Sequence, residues 1–246
     1  MSEIIKTEAI VLRKINFGDT SRIAQFFAKD FGKISGVIKG ARSPKSKIGK
    51  MVDTINHLQL VLYKKETREL QLISEVDLLH HYPRIKDDFD KMKYATCIIE
   101  LISDLTLENE HNIKLFEGTV RILDLLDSSN TNPGFLFAKY FFFFLKEIGY
   151  EFQIECCGLC TNKLKPGIEA SFNYESGVMC SNCRKDRLTN FNFSVELFNL
   201  IFCLNSKTND VHYTENDLNL IIKMLEKYLM YHVPEFKGLR SLKLAQ

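Results

Sequence analysis

Two pairs of cysteines place the strongest constraint on how this chain can fold. The pairs are Cys157-Gly-Leu-Cys160 and Cys180-Ser-Asn-Cys183, with nineteen residues between them. Each pair can present two thiolates to one ion, and a tetrahedral Zn²⁺ accepts four such ligands. The spacing is typical of zinc ribbons. The sequence therefore predicts that one Zn²⁺ ion holds these two segments together.

The number of thiolates also indicates what kind of site this is. Four thiolates saturate a tetrahedral ion and leave no position for water or substrate, which favours a structural role for the metal. Cys156 also adjoins the first pair, but with Cys160 it would form a CxxxC spacing, so Cys157 is the expected ligand. Two alternatives stay open: unconnected core cysteines, or a redox pair of the thioredoxin type. Cys97 and Cys203 lie on apolar helical faces and are expected in the core.

The sequence changes character near residue 80. Residues 1–80 contain five short runs rich in β-branched and aromatic residues, separated by turn signals. A small closed barrel buries five such strands without long exposed edges, and the oligonucleotide-binding (OB) barrel is the five-stranded candidate. After residue 80, apolar residues recur every three or four positions, in segments that are separated by Asn, Ser, Pro and Gly. This pattern predicts consecutive helices. We expect an α+β chain, with an OB-fold barrel at 1–80, a helical domain at 81–246 and an inserted zinc-binding module at 153–187.

Composition and hydropathy indicate a folded protein. Of the 246 residues, 45% are hydrophobic and 26% are charged, which is enough to bury a core and unlike a disordered chain. The most apolar run, "FLFAKYFFFFLKEIGY", is interrupted by Lys139 and Lys146 and is too short to span a bilayer, so it predicts a buried helix. The first residues lack the pattern of a secretory signal. We therefore expect a cytoplasmic location.

Positive charge is concentrated in the first third of the chain. The formal net charge is +2, but residues 1–80 hold 14 Lys and Arg against 9 Asp and Glu. No acid occurs between Asp30 and Asp53, a segment that holds six basic residues, Lys33, Lys39, Arg42, Lys45, Lys47 and Lys50. A basic stretch between strands of an OB barrel predicts contacts with nucleic-acid phosphates, although a solvated loop is the simpler alternative.

Aromatic residues and catalytic motifs leave further questions open. Phe17, Phe26, Phe27 and Phe31 either form core or offer surfaces on which bases stack.

The chain contains no phosphate-binding P-loop, no HExxH and no G-x-S-x-G, and no nucleophile or general base can be named. We therefore expect a protein that is not an enzyme.

The N-terminal sequence resembles a known family. The stretch "TEAIVLRKINFGDTSRIAQFFAKDFGKISGVIKGARSPKSK" is similar, almost position by position, to the start of the bacterial recombination mediator family RecO. The match includes Thr7, Glu8, Ala9 and Val11, the "FGDTSR" turn, the Phe-Gly-Lys at 31–33 and the "KGARSPKS" loop. The order of barrel, helices and interposed CxxC pairs also resembles that family over essentially the whole chain. Some members lack the zinc cysteines, whereas this chain has all four.

The resemblance implies a DNA repair and recombination mediator. Such a protein binds single- and double-stranded DNA, anneals complementary strands, works with the ring-forming partner RecR, and helps load RecA onto DNA covered by single-strand-binding protein. It implies a location in the cytoplasm, in association with the nucleoid. The implied DNA-binding residues are Arg13, Arg22, Lys39, Arg42, Lys45, Lys47 and Lys50. The residues implied for the acidic tail of single-strand-binding protein are Lys237, Arg240 and Lys243.

Two other classes of function remain open from the sequence. A zinc-stabilised adaptor would use the basic stretch to bind acidic protein instead of phosphate. A metal-dependent nuclease would need a metal with an open position or carboxylates gathered near the basic stretch. The sequence offers neither feature of a nuclease.

Overall fold

The computed structural model describes residues 3–65, 67–185, 187–206 and 211–243. The chain divides into two compact units, one formed by residues 1–130 with 239–246 and the other by residues 131–238. The boundary predicted at residue 80 falls inside the first unit, between the barrel and the helices that follow it. That boundary stays a prediction.

The first unit begins with a closed five-stranded barrel. Its strands are β1 (Glu3–Phe17), β2 (Ser21–Ala28), β3 (Gly32–Ile38), β4 (His57–Lys64) and β5 (Leu70–His80). Around the barrel the order is β1-β2-β3-β5-β4, with β3 and β5 parallel and the other neighbours antiparallel. This arrangement confirms the predicted five-stranded OB-fold barrel.

Strand β1 is long because it serves two neighbours. Its first half pairs with β4 from Glu3 to Ile10, and its second half pairs with β2 from Ala9 to Phe17. The register shifts between Val11 and Arg13, as at a β-bulge, which bends a strand and increases its twist. The barrel core is formed by small and branched side chains together with Phe26. Beyond the bulge every residue from 13 to 20 is exposed, so this end of the β1–β2 hairpin is a solvated arm.

Helices complete the first unit. They are α1 (Lys47–Met51), α2 (Pro83–Asp87), α3 (Phe89–Leu105), α4 (Ile113–Ser128) and α8 (Arg240–Lys243). Side chains cap the two long helices: Asp88 accepts a hydrogen bond from the Lys91 amide, and Asn112 accepts one from the Leu115 amide. Both helices follow the barrel, in the part of the chain where the apolar spacing predicts helices.

The second unit combines helices with a small sheet. Its elements are α5 (Pro133–Glu147), β6 (Ala170–Asn173), β7 (Gly177–Cys180), β8 (Phe191–Phe193), α6 (Val195–Leu204) and α7 (Glu215–His232). Helix α5 contains most of the apolar run and is largely buried, as predicted. Helix α7 begins with a capping box formed by Thr214 and Asp217. No helix in the described part of the chain is long and apolar enough to cross a membrane.

Candidate nucleic-acid interface and metal centre

The basic loop, residues 39–50, joins β3 to the segment that leads into β4. Its five cations, Lys39, Arg42, Lys45, Lys47 and Lys50, are all exposed. Asp53 is the first acid after the loop, and its carboxylate lies 2.5 Å from Nζ of Lys14 and 3.6 Å from Nζ of Lys86. The loop therefore presents a group of positive charges to solvent, and the nearest following acid is already paired with other lysines.

Two arginines fasten the basic loop to the arm. The amide of Arg42 donates to the carbonyl of Thr20 at 2.9 Å, and its guanidinium donates to the carbonyl of Gly18. Arg22, on β2, donates from Nη1 to the carbonyl of Gly49 at 2.6 Å. Both arginines were predicted to contact DNA. That role stays a prediction, and the structure shows a different one: each arginine positions the loop.

The glycine in the second half of the loop allows a tight internal contact. A Cβ on Gly49 would lie 1.8 Å from the carbonyl oxygen of Ala41, so no larger residue fits without a shift of the backbone. The Ser46 hydroxyl accepts a hydrogen bond from the Gly49 amide and caps α1. The close approach at Gly49 is therefore to the loop's own backbone.

The remaining basic residues of the region are placed differently. Arg13 is exposed on the arm, next to the bulge. Lys33 points elsewhere, because its Nζ donates to the carbonyl of Ser103 at 2.7 Å. Burial lowers the pKa of Lys33, although Glu108 and Asp104 oppose this effect. Of the six basic residues between Asp30 and Asp53, Lys33 is thus half-buried and lies outside the basic loop.

The structure separates the four phenylalanines considered for stacking. Phe26 and Phe27 are buried, with 0% and 1% of their surface exposed. Phe31 packs against the barrel core, and Nζ of Lys64 lies 4.1 Å from its ring centre. Phe17 is 51% exposed at the end of β1. Only the last of these four rings presents a large surface to solvent.

The four predicted cysteine ligands come together in the second unit. The thiol sulfurs of Cys157, Cys160, Cys180 and Cys183 all lie within 4.8 Å of one another. The Cys160 and Cys180 sulfurs are 3.9 Å apart, close to the separation of about 3.8 Å that two ligands at 2.3 Å have on a tetrahedral ion. Cys156 is exposed and lies outside this cluster. Cys97 and Cys203 are buried in α3 and α6.

Backbone contacts hold the first cysteine pair against β7. The Gly158 amide donates to the Val178 carbonyl at 2.8 Å. A Cβ on Gly158 would lie 1.8 Å from the Ser176 carbonyl oxygen, so this approach requires glycine. Strand β7 ends at Cys180, and the following turn is closed by a 3.0 Å hydrogen bond from the Cys183 amide to the Cys180 carbonyl. The hairpin therefore brings both cysteine pairs to one place.

The thiols share their protons unequally. Burial raises the pKa of Cys157, but the amides of Cys160, Cys180 and Leu159 donate to its sulfur and bring the pKa to about 6. Hydrogen bonds to Cys160 and Cys180 raise the pKa of Cys183 to about 12. Zn²⁺ binds thiolates and displaces such shared protons. The four-sulfur donor set thus fits a zinc ion.

The three residues predicted to meet a protein partner belong to different units. Lys237 is in the second unit and donates to the Pro234 carbonyl at 2.7 Å, whereas Arg240 and Lys243 are on α8 in the first. Arg240 lies 3.7 Å from the carboxylate of Glu100 and 3.6 Å from that of Asp104. Part of its charge is therefore compensated within the first unit.

Two family models together match almost the whole chain. Residues 1–82 match the family model described as Recombination protein O N terminal, and residues 86–243 match Recombination protein O C terminal. The chain belongs to the RecO family. This membership supports a role in DNA repair and recombination.

Individual RecO proteins match over most or part of the chain. DNA repair protein RecO of Chlorobium phaeobacteroides is 30% identical over 242 residues, covering 94% of this chain and 93% of the relative. The protein of the same name from Chloroherpeton thalassium is 28% identical, and the match covers 97% of this chain and 96% of the relative. That of Chlorobium limicola is 34% identical over 154 residues, 63% of this chain and 59% of the relative.

Proposed function

We propose that this RecO-family protein binds single- and double-stranded DNA through the basic loop and anneals complementary strands without a chemical step. The observation that carries the proposal is the exposure of all five loop cations on the outside of an OB barrel. Two DNA strands repel each other because both are polyanions. A surface that neutralises phosphates on both strands lowers this repulsion and lets them pair.

The design of the basic loop suits contacts with phosphates. Two braces tie it to the arm, Arg42 to the Gly18 carbonyl and Arg22 to the Gly49 carbonyl, so the loop cations start from a defined position. Ordering a flexible loop during binding would cost affinity, and a preorganised loop avoids part of that cost. We include Arg13, Arg22, Lys39, Arg42, Lys45, Lys47 and Lys50 in the proposed DNA-binding surface.

We assign the metal a structural role in this function. A zinc ion on Cys157, Cys160, Cys180 and Cys183 would have four sulfur ligands and no open position for a substrate. The described thiol cluster is built from turns around a three-stranded sheet, so the ion would hold that sheet and its flanking turns together. Annealing needs no activated water, which agrees with such a site.

We extend the proposal to the partners that family membership suggests. These are RecR, the acidic tail of single-strand-binding protein, and RecA, which is loaded as a result. Lys237, Arg240 and Lys243 are the residues proposed for the acidic tail. Arg240 would have to exchange its contacts with Glu100 and Asp104 for those with the tail. A location in the cytoplasm, with the nucleoid, follows from the same proposal.

A charge reversal of the loop tests the DNA-binding surface. The variant carries Lys39→Glu, Arg42→Glu, Lys45→Glu and Lys47→Glu, and we expect it to lose strand annealing and to bind single strands much more weakly. Each lost phosphate contact should reduce the slope of log K against log salt by about 0.7 for single strands, so the slope should fall by about 3. The melting temperature should fall only slightly, because all four side chains are exposed and the Arg42 brace to the Gly18 carbonyl lies at the surface.

A matched variant controls for net charge. It carries glutamate at four exposed cations outside the basic loop, Arg121, Lys163, Lys165 and Lys223. We expect this variant to keep most of its affinity and its salt slope, although its net charge is the same. Unaltered DNA affinity in the loop variant, or equal losses in both variants, would contradict the assignment. Annealing on DNA precoated with single-strand-binding protein then tests the mediator role directly.

A further inference from the structure

The arm has two different faces. Beyond the bulge, the pairs Arg13–Gln25, Ile15–Ile23 and Phe17–Ser21 lie opposite one another in the β1–β2 register. Alternate residues of a strand point to the same side, so these side chains share one face of the arm. Phe17 is 51% exposed and Ile15 is 46% exposed. This face therefore carries an apolar strip, in which Phe17 and Ile15 are exposed and Ile23 is half-buried.

The opposite face of the arm is occupied by the basic loop and the residues after it. Lys14 and Arg22 belong to that face, and they contact Asp53 and the Gly49 carbonyl at 2.5 and 2.6 Å. The loop therefore lies against one side of the arm and leaves the apolar strip on the other side uncovered by it. The strip therefore stays exposed even though the basic loop is already packed against the arm.

Positive charges flank the apolar strip at both ends. Arg13 lies on the same face, two residues before Ile15, and is exposed. At the other end Arg42 donates to the Gly18 carbonyl, one residue beyond Phe17. Proteins that hold single-stranded nucleic acid combine cations for the backbone with aromatic rings for the bases. An apolar strip that binds a protein does not need cations at both ends. The two arginines therefore favour nucleic acid as the ligand of this strip.

We infer that the exposed Phe17 ring, supported by Ile15 and Ile23, is a stacking platform for an unpaired base of single-stranded DNA whose phosphates contact Arg13 on the same face and Arg42 at the end of the arm. The inference rests on the proposed function and adds a base contact to it. Stacking accepts any base, because each has a π-face, so the platform would not select a sequence. It would keep bases of a bound strand ordered and unpaired until a complementary strand arrives.

The absence of tryptophan from the chain permits a direct test. The variant Phe17→Trp carries a single tryptophan, whose fluorescence reports on stacking. We expect strong quenching when an oligothymidine oligonucleotide saturates this variant. The matched control is Phe89→Trp, at the start of α3, because Phe89 is 73% exposed and lies in the same unit outside the arm. Its fluorescence should stay nearly constant.

A truncation measures how much the ring contributes. Phe17→Ala should lower affinity for oligothymidine by roughly 5- to 140-fold, the range expected for loss of one base stack. The slope against log salt should not change, because no phosphate contact is removed. On an oligonucleotide of the same length made of abasic sites, Phe17→Ala and the unsubstituted protein should bind equally.

The outcomes separate this inference from the proposal on which it rests. Failure of the unsubstituted protein to bind oligothymidine overturns both. Normal binding by Phe17→Trp without quenching, or equal affinity of Phe17→Ala and the unsubstituted protein, overturns the stacking platform alone and leaves the strip to a protein partner. An equal loss by Phe17→Ala on abasic and normal strands also contradicts base stacking.

Discussion

The carbonyl oxygen of Gly49 accepts a hydrogen bond of 2.6 Å from Nη1 of Arg22. This bond joins β2 to α1, and it does so where Gly49 already touches the backbone of Ala41. The basic loop is thus closed on itself at one point and tied to the barrel at the same point. Its position therefore depends on the same Arg22 side chain that we include in the proposed DNA-binding surface.

Removal of this brace should loosen the loop. We expect Arg22→Ala to speed amide hydrogen exchange in residues 39–50 and to weaken single-strand binding, because a hydrogen bond from a charged group contributes about 1.5–3 kcal/mol. Arg22→Lys is the matched control: it keeps the charge but lacks the planar fork. Amide exchange in the loop of Arg22→Lys should resemble that of Arg22→Ala. The DNA affinity of Arg22→Lys should lie between that of Arg22→Ala and that of the unsubstituted protein. Unchanged loop exchange in Arg22→Ala would contradict the bracing role.

The loop also shows where sequence patterns stop being informative. The charge of Lys39–Lys50 is visible in the sequence, and so is its position between strands. The bracing contacts of Arg22 and Arg42 are not visible, because they depend on the tertiary position of Gly49 and Gly18 relative to the arm. Helix α1 was missed as well, since five residues with a glycine among them give no helical period.

The second unit shows the same contrast. The cysteine cluster was predictable, because two short motifs with fixed spacing define it locally. The long helices were predictable from their apolar period, as for α7 with its capping box at Thr214. Strands β6–β8 are only three or four residues long, which is too short for an alternating pattern to stand out. They form through pairing with one another, which a single sequence does not display.

Metal removal should act on the zinc-binding module before the barrel. We expect elemental analysis to find one zinc per chain, and a strong chelator to increase hydrogen exchange around β6–β8 while strands β1–β5 keep their protection. Cys160→Ser should have the same effect without chelator. Leu159→Ala, in the same turn, is the control, because Leu159 is 36% exposed and offers no ligand. A chain without zinc, or equal loss of protection in the barrel, would contradict the structural role.

The glycine of the first cysteine pair offers a test that leaves all four ligands in place. Gly158→Ala puts a methyl group 1.8 Å from the Ser176 carbonyl oxygen, so the turn must move away from β7. We expect this variant to bind zinc at least tenfold more weakly in a competition titration with a chromogenic chelator, because the two cysteine pairs no longer meet without strain. Leu159→Ala should bind zinc normally. Equal affinities in the two variants would show that the backbone contact at Gly158 does not set the metal site.

The barrel contains a histidine whose ionisation should affect stability. His57 is only 8% exposed, and its Nε2 lies 3.0 Å from Oε2 of Glu8. Burial lowers the pKa of His57 below its ordinary value of 6.5, although Glu8 opposes the shift. The folded state therefore takes up this proton at a lower pH than the unfolded chain does. Neutral His57 therefore stabilises the folded state. Its contribution to the free energy of unfolding is complete above pH 6.5 and is lost as the pH falls from 6.5 toward the folded-state pKa.

Urea unfolding at a series of pH values measures this loss. Between pH 7.5 and 5.5 we expect the free energy of unfolding to decrease, with a contribution from His57 of at most about 1.4 kcal/mol per pH unit. His57→Gln should be less stable at pH 7.5, since it loses packing against Phe116, but its stability should depend less on pH. His81→Gln is the control, because His81 is exposed, and it should keep the full pH dependence. If the free energy of unfolding of His57→Gln and of the unsubstituted protein falls in parallel with pH, His57 does not cause the pH dependence. Other groups must then take up the proton.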